Sequence, residues 1–160
     1  MDTVVLTCFA EGGPGNTIQW SFNGNTLENE TLQSLQLVNV TAMSNGGTYT
    51  CVVSNSAGNG SFSTNLYIRP IITLNPTNQI ASINTEEVSF SCAATAFPPP
   101  LFQWMKEDGF LPNTAVGINS TTLTISPIEF GYEGIYYCIA TSNNITIESN
   151  RATLSSTFLC

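Results

Sequence analysis

A motif of two cysteines with a tryptophan between them occurs twice in this chain, and it limits the fold more than any other feature. In each copy the tryptophan follows the first cysteine by twelve positions, and a glycine and a tyrosine precede the second cysteine by four and two. The first copy contains Cys8, Trp20, Gly47, Tyr49 and Cys51, and the second contains Cys92, Trp104, Gly134, Tyr136 and Cys138. Such an internal repeat indicates two similar modules, and 160 residues suffice for two domains of ordinary small size.

The segments between the motif residues have the alternating pattern of β-strands. Between tryptophan and second cysteine lie "LQSLQLVNV" in the first copy and "STTLTISPI" in the second, where apolar and polar residues alternate. Turn-rich segments separate these runs, and no run has a convincing helical period. The sequence therefore predicts an all-β tandem repeat.

Charge and residue content exclude several functions. Three Lys and Arg stand against eleven Asp and Glu, so the net charge is −8 and no basic stripe for nucleic acid can form. The absence of His removes the common hydrolytic triads and zinc motifs. We therefore expect no catalytic residue, no cofactor and no metal site. No window is apolar enough to span a membrane, so we expect no direct membrane insertion of this segment.

The repeated motif resembles the signature of immunoglobulin-like domains of the intermediate or C2 type. The resemblance implies two Greek-key β-sandwiches in tandem, with domain 1 over residues 1–69 and domain 2 over residues 70–157. It also implies an inter-sheet disulfide in each domain, joining Cys8 to Cys51 and Cys92 to Cys138. Only seven residues precede Cys8, so strand A of domain 1 is expected to be missing from this chain. Cys160 remains outside these pairs.

The resemblance assigns structural roles to four aromatic residues. Trp20 and Trp104 should pack beside the disulfides, and Tyr49 and Tyr136 should form tyrosine corners, with buried hydroxyls that need a backbone acceptor. The sequence departs from the family at one repeated position. The acid usual two residues before the corner glycine is Asn45 in one copy and Tyr132 in the other.

The same resemblance implies recognition by an extracellular part of a cell-surface protein. We expect a protein ligand or a second copy as partner, and localisation in the ectodomain of a single-pass plasma-membrane protein. The receptor tyrosine kinase type is favoured, with a kinase elsewhere in the full-length protein. Homophilic adhesion and innate immune recognition are alternatives. An intracellular muscle-type repeat, with reduced cysteines, is a further alternative.

The second copy carries an apolar row on the side of a strand that should face water. In "GIYYCIATS" the inner residues alternate with Ile135, Tyr137 and Ile139, and Met105 belongs to the same outer surface. The corresponding surface of the first copy is mostly polar. Two interpretations remain open: a partner-binding face, or a row covered locally by a strand C′ or a glycan.

Asn-x-Ser/Thr motifs occur at five asparagines, which are Asn29, Asn39, Asn59, Asn119 and Asn144. With 17 Asn and 37 Ser or Thr in the chain, chance alone gives about 4 such motifs. The motifs are therefore candidate glycosylation sites that permit a secreted protein without proving one. The motifs at Asn59 and Asn144 are expected in the F–G loops.

Overall fold

The computed structural model describes residues 2–9, 15–84 and 87–157. By its internal contacts the chain divides into two compact units, Met1–Ile68 and Arg69–Cys160. Strands make up nearly all of the regular structure in both units, so the predicted all-β class is confirmed. The described residues contain no helix with the length and hydropathy of a membrane-crossing segment.

Unit 1 is a sandwich of a two-stranded and a four-stranded sheet. Its strands are β1 (Val4–Thr7), β2 (Thr17–Phe22), β3 (Asn25–Thr26), β4 (Ser34–Leu37), β5 (Gly47–Asn55) and β6 (Gly58–Leu66). Strands β1 and β4 pair with each other, and the larger sheet has the order β3-β2-β5-β6. A single helical turn, α1 (Ala42–Asn45), precedes β5 and begins at Thr41, whose side chain accepts a hydrogen bond from the Ser44 amide.

Alternation along β2, β4 and β5 puts the core of unit 1 between its sheets. The buried apolar residues there are Cys8, Trp20, Leu35, Tyr49 and Cys51. In the register of β2 against β5, Trp20 lies opposite Cys51 and Phe22 lies opposite Tyr49. Trp20 therefore packs beside the cysteine pair, as the resemblance to immunoglobulin-like domains implied.

Unit 2 begins with a strand that continues from the end of unit 1 in sequence. Its strands are β7 (Ile68–Leu74), β8 (Gln79–Ser82), β9 (Val88–Ser91), β10 (Ala93–Phe97), β11 (Leu101–Lys106), β12 (Ala115–Val116), β13 (Thr122–Ile125), β14 (Gly134–Ser142), β15 (Ile145–Glu148) and β16 (Ala152–Thr157). One sheet has the order β11-β14-β16-β8, with β15 also on β14, and another has the order β12-β13-β9. Strand β7 pairs with β10.

The core of unit 2 is the larger of the two. Its buried members are Ala81, Val88, Phe90, Cys92, Trp104, Leu123, Ile125, Ile128, Tyr136, Cys138, Ala152 and Leu154. The edge of β16 is covered by β8, which runs parallel to it with Ser156 opposite Ala81. In unit 1 the corresponding strand β6 is the last strand of its sheet among the described residues.

Candidate functional site

Both tyrosine corners have their predicted geometry, with a backbone carbonyl as acceptor. The hydroxyl of Tyr49 donates to the carbonyl of Asn45 at 2.9 Å, and that of Tyr136 donates to the carbonyl of Tyr132 at 2.6 Å. Asn45 and Tyr132 are the two residues at which this sequence departs from the family. Because the main chain accepts the hydrogen bond, the substitution of the usual acid leaves this contact intact.

The two tryptophans are held in matching ways. The indole nitrogen of Trp20 donates to the carbonyl of Leu32, and that of Trp104 donates to the carbonyl of Ser120, both at 2.9 Å. Disulfides join Cys8 to Cys51 and Cys92 to Cys138. These residues are buried in the two cores, which accounts for them as structural elements.

The predicted apolar row lies on the outer face of β11 and β14 in unit 2. In the antiparallel register Met105 is opposite Tyr137, and Gln103 is opposite Ile139. Ile135, Tyr137 and Ile139 alternate with the buried Tyr136, Cys138 and Ala140 along β14. The structure therefore brings all four candidate interface residues onto one face, and each is half-buried.

A one-residue bulge interrupts the strand that borders this face. On one side of it Ile139 pairs with Glu148, and on the other Tyr136 pairs with Ala152. Two residues of β14 therefore lie opposite three residues, 149–151, between β15 and β16. The bulge is fixed by the Ser149 side chain, whose Oγ accepts from the Cys138 amide at 3.0 Å and donates to the Asn150 carbonyl at 2.8 Å. Such an extra residue changes which side chains reach a given face.

The bulge puts Arg151 over the apolar row. Its guanidinium lies 4.3 Å from the ring centre of Tyr137 and donates to Glu148 at 2.9 Å and to Glu107 at 3.5 Å. In a regular strand, residues three apart point to opposite faces, so the bulge is what allows Glu148 and Arg151 to meet. The hydrogen bond to the Glu148 carboxylate raises the pKa of Arg151. The row is thus bordered by one cation held between two acids.

Comparison with known proteins accounts for this architecture. The sequence matches the profile described as "Immunoglobulin domain" over residues 1–55 and 69–142. The chain belongs to the immunoglobulin domain family. The prediction of two immunoglobulin-like sandwiches in tandem is confirmed, and we use the strand letters of that fold below, in which β11, β14 and β15–β16 are strands C, F and G of unit 2.

The chain is similar to several known proteins, of which we describe one curated relative and two solved structures. It is 32% identical to human Roundabout homolog 3 over 87% of this chain and 11% of that protein. A structure described as the structural basis for Dscam isoform specificity superposes with a TM-score of 0.71 at 22% identity, over 97% of this chain and 41% of that one. The insect immune protein hemolin, described with implications for homophilic adhesion, gives a TM-score of 0.62 at 19% identity, over 98% and 43%. The chain therefore spans about a ninth of the curated relative, and the two structures show the fold alone.

The immunoglobulin sheet of unit 1 has a different outer face. Strand F there presents Thr48, Thr50 and Val52, of which Thr50 bonds to Ser63 at 2.8 Å and Thr48 donates to Asn65 at 2.7 Å. Gln19 and Ser21 occupy the facing positions of strand C. This face satisfies its polar groups internally, so the apolar row is a property of one immunoglobulin domain and not of the fold.

Of the two local covers predicted from the sequence, the described residues argue against a strand C′, and a glycan stays a prediction. Strand C of unit 2 is the last strand of its sheet, and the described residues supply no strand C′ beside it. The charged side chains of Arg151, Glu148 and Glu107 border the row instead. Sequence reasoning missed them because strict alternation puts Arg151 and Glu148 on opposite faces. The sign of the bulge is that the buried residues Ser149 and Ala152 are three positions apart. In a strand with a period of two, both can face inward only if one residue between them is extra.

The candidate glycosylation sites fall on exposed positions. Asn29, Asn39 and Asn144 have left-handed backbone angles, with φ of 67°, 54° and 62°, a conformation that asparagine tolerates in turns. Asn144 lies in the F–G turn as expected, whereas the prediction for Asn59 is wrong, because Asn59 belongs to strand G of unit 1 and pairs with Ser54. Asn119 precedes Ser120 in a turn beside strand C. Cys160 lies outside the described residues.

The described residues contain no group of three or more His, Cys, Asp or Glu that could hold a metal ion. The acidic side chains nearest the apolar row, Glu107 and Glu148, form ion pairs with Arg151. What this face offers chemically is therefore aromatic and aliphatic surface with a charged border, which suits binding of a protein surface.

Proposed function

We propose that this chain is an extracellular recognition segment of an adhesion or receptor protein, and that it acts by protein–protein contact through the outer C–F–G face of unit 2. The observation that carries the proposal is the contrast between the two units. Unit 2 has an apolar row bordered by Arg151 and two glutamates, and the matching face of unit 1 is a ladder of hydroxyl and amide groups. A feature that the fold does not require invites a functional explanation.

The chemistry of the face suits an interface. Tyr, Met and Arg are enriched at the centres of protein interfaces, while a polar rim surrounds them. Tyr137 lies between Met105 on strand C and Arg151 on strand G. A partner that covers this ring removes water from its apolar surface and from the guanidinium stacked on it, which strengthens their attraction.

A second copy of the chain is the partner that the charges favour. A two-fold interface brings the same patch of both copies together, and this patch contains both signs of charge. Arg151 of one copy can then pair with Glu107 or Glu148 of the other. The net charge of −8 opposes association, but salt at physiological strength screens charges beyond about 8 Å. The description of hemolin in terms of homophilic adhesion supports the same proposal.

An extracellular location is part of the proposal. Two disulfides in the cores are typical of oxidising compartments, and a muscle-type repeat with reduced cysteines would lack them. The mass of the native protein after alkylation, with and without prior reduction, tests this part. Four core thiols that react without reduction would contradict it. The receptor tyrosine kinase form of the proposal has no residue in its favour, so we do not carry it further.

Sedimentation equilibrium on a Cys160→Ser form tests the contact itself. We expect the parent to dimerise with rising concentration and Tyr137→Glu to remain monomeric, because a carboxylate replaces the central ring. The matched control is Thr50→Glu, the same change at the equivalent position of the polar face in unit 1, which should dimerise as the parent does. A parent that stays monomeric, or equal loss in both variants, would exclude a homophilic contact through this face.

A further inference from the structure

A groove of about 450 Å³ lies at one end of the outer face of unit 2, next to the apolar row. Its walls are Leu101, Phe102, Gln103, Asn119 and Thr141. Leu101 is 76% exposed, so its side chain is available as apolar surface in the groove. The groove contains one asparagine of an Asn-x-Ser/Thr motif, so a sugar on that asparagine would be attached at the wall of the groove.

We propose that Asn119 carries an N-linked glycan and that its first N-acetylglucosamine lies in this groove against Leu101. The inference rests on the proposed extracellular location, because N-glycosylation requires the secretory route. It adds a specific modification site and an intramolecular contact that the location alone does not imply.

The backbone at Asn119 is held firmly beside strand C. The amide of Trp104 donates to the carbonyl of Ile118 at 2.8 Å, and its indole donates to the carbonyl of Ser120 at 2.9 Å. The Ser120 hydroxyl lies 3.0 and 2.7 Å from the carbonyls of Gly117 and Thr122 and can donate its one proton to either. Asn119 is therefore attached on both sides to residues fixed by the buried tryptophan, and a sugar on it starts from a defined position.

The walls of the groove match the two kinds of surface that N-acetylglucosamine presents. The sugar ring has a face made of C–H groups, and the acetyl group adds a methyl, both of which gain by covering the exposed Leu101 side chain. Gln103 and Thr141 provide an amide and a hydroxyl for the ring hydroxyls. Because the sugar is tethered to the wall, its effective concentration at the groove is high, so even a weak contact is populated.

The other four Asn-x-Ser/Thr motifs do not combine an asparagine at the wall of a groove with an apolar side chain that its sugar could cover. Asn29, Asn39 and Asn144 line neither this groove nor the groove of unit 1. Asn59 does line the groove of unit 1, together with Phe62. However, Asn59 and Phe62 are three positions apart on β6, which pairs continuously with β5, so their side chains leave opposite faces of the sheet. A sugar on Asn59 therefore points away from that apolar wall.

Thermal unfolding of protein secreted from a glycosylating host tests the proposal, with glycopeptide mass mapping of every motif. We compare the full glycan, the form trimmed by endoglycosidase H to a single sugar, and Asn119→Gln. The single sugar should preserve the melting temperature of unit 2, and Asn119→Gln should lower it by roughly 4 °C, a shift of ordinary size for a surface contact in a domain of this length. In a Leu101→Ser background, Asn119→Gln should cause no further loss.

Thr146→Val is the matched control, since it removes the Asn144 motif from the same unit at an exposed strand position without placing a new residue at the left-handed Asn144, and it should leave the melting temperature unchanged. An unmodified Asn119 in a protein glycosylated at other motifs would overturn the inference and leave the extracellular proposal standing. The inference is also overturned if Asn119 carries a glycan but Asn119→Gln has the same melting temperature as the form trimmed to a single sugar. Absence of glycan at all five motifs, together with free core thiols, would overturn both proposals.

Discussion

Tyr136 shows how a single hydroxyl ties a strand to the turn before it. The ring is buried between Phe90 and Lys106, and its hydroxyl is 2.6 Å from the carbonyl of Tyr132. Burial, with smaller contributions from the charges of Glu133 and Tyr132, raises the pKa of Tyr136 well above its usual value of about 10. The folded protein thus keeps this hydroxyl as a donor at pH values where the unfolded chain loses the proton.

We expect Tyr136→Phe to lower the free energy of unfolding of unit 2 by roughly 1–2 kcal/mol at pH 7, the usual cost of a lost hydrogen bond that leaves its acceptor behind. The folded pKa is raised, so the contribution of Tyr136 is complete below pH 10 and decreases as pH rises above it. Tyr136→Phe should therefore flatten the loss of stability between pH 9 and 11. Calorimetry across this range measures both effects.

Tyr137→Phe removes a hydroxyl from the neighbouring residue on the outer face and serves as the control. It should unfold as the parent does at pH 7. Equal destabilisation by the two substitutions would show that the buried hydrogen bond of Tyr136 contributes nothing specific.

At the scale of elements, the bulge in strand G is the feature that distinguishes the two units. Strands β5 and β6 of unit 1 pair without interruption from Gly47 and Leu66 to Asn55 and Gly58. The G strand of unit 2 has one additional residue between Glu148 and Ala152. Because of it, Glu148 and Arg151 point outward while Ser149 and Ala152 are buried. The extra residue therefore allows Ser149 and Ala152 to face the core while Glu148 and Arg151 meet on the outer face.

Deletion of Asn150 should leave the core of unit 2 in place. In the shortened strand Ser149 lies opposite Cys138 and Arg151 lies opposite Tyr137, so Ser149 and Ala152 still face inward while Glu148 and Arg151 face outward. We expect the free energy of unfolding of unit 2 to fall by roughly 1 kcal/mol, because the hydrogen bond from the Ser149 hydroxyl to the Asn150 carbonyl is lost. The control is Asn150→Ala, which keeps the length of the bulge and should unfold almost as the parent does, and calorimetry of the unit 2 transition measures the difference. A loss of several kcal/mol on deletion would show that the bulge itself is required for packing.

The strands could be predicted from the sequence, but the bulge in strand G and the position of Arg151 could not. The spacing of Cys, Trp and Tyr showed the repeat, and its resemblance to immunoglobulin-like domains implied which strands carry these residues. Alternation along "GIYYCIATS" predicted the apolar row, because in a strand the residues between the inward-facing ones point outward. Arg151 and its two acids were not predicted, because a period of two puts Glu148 and Arg151 on opposite faces. The sign of the extra residue is the three-residue spacing of the buried Ser149 and Ala152, which can be recognised only once their burial is known.

At the scale of the whole molecule, the two units differ in how much core supports them. Among the described residues, the fully buried apolar cluster is larger in unit 2 than in unit 1, where it consists of two cysteines, Trp20, Leu35 and Tyr49. The edge of the G strand is also covered in unit 2 and uncovered in unit 1 among the described residues. Unit 1 should therefore depend more heavily on its disulfide.

The double variant Cys8→Ala/Cys51→Ala tests this dependence. Opening a disulfide whose cysteines are 43 residues apart removes about 4 kcal/mol in the chain-entropy model, a large part of the stability of a small domain. We expect the lower of two calorimetric transitions to shift to much lower temperature or disappear, and the upper one to stay. Cys160→Ser should move neither. A single transition that shifts as a whole would contradict independent unfolding of the units.

The bulge has a consequence for how repeated modules diverge. A gene that encodes a series of similar modules can gain one codon in strand G of a single copy. A bulge absorbs the added residue, so the cysteines, the tryptophan, the corner tyrosine and the buried Ala152 keep their places, while the spacing of the outward side chains beside the apolar row changes. The outer face of one module can therefore be altered by a change of length that leaves its core in place.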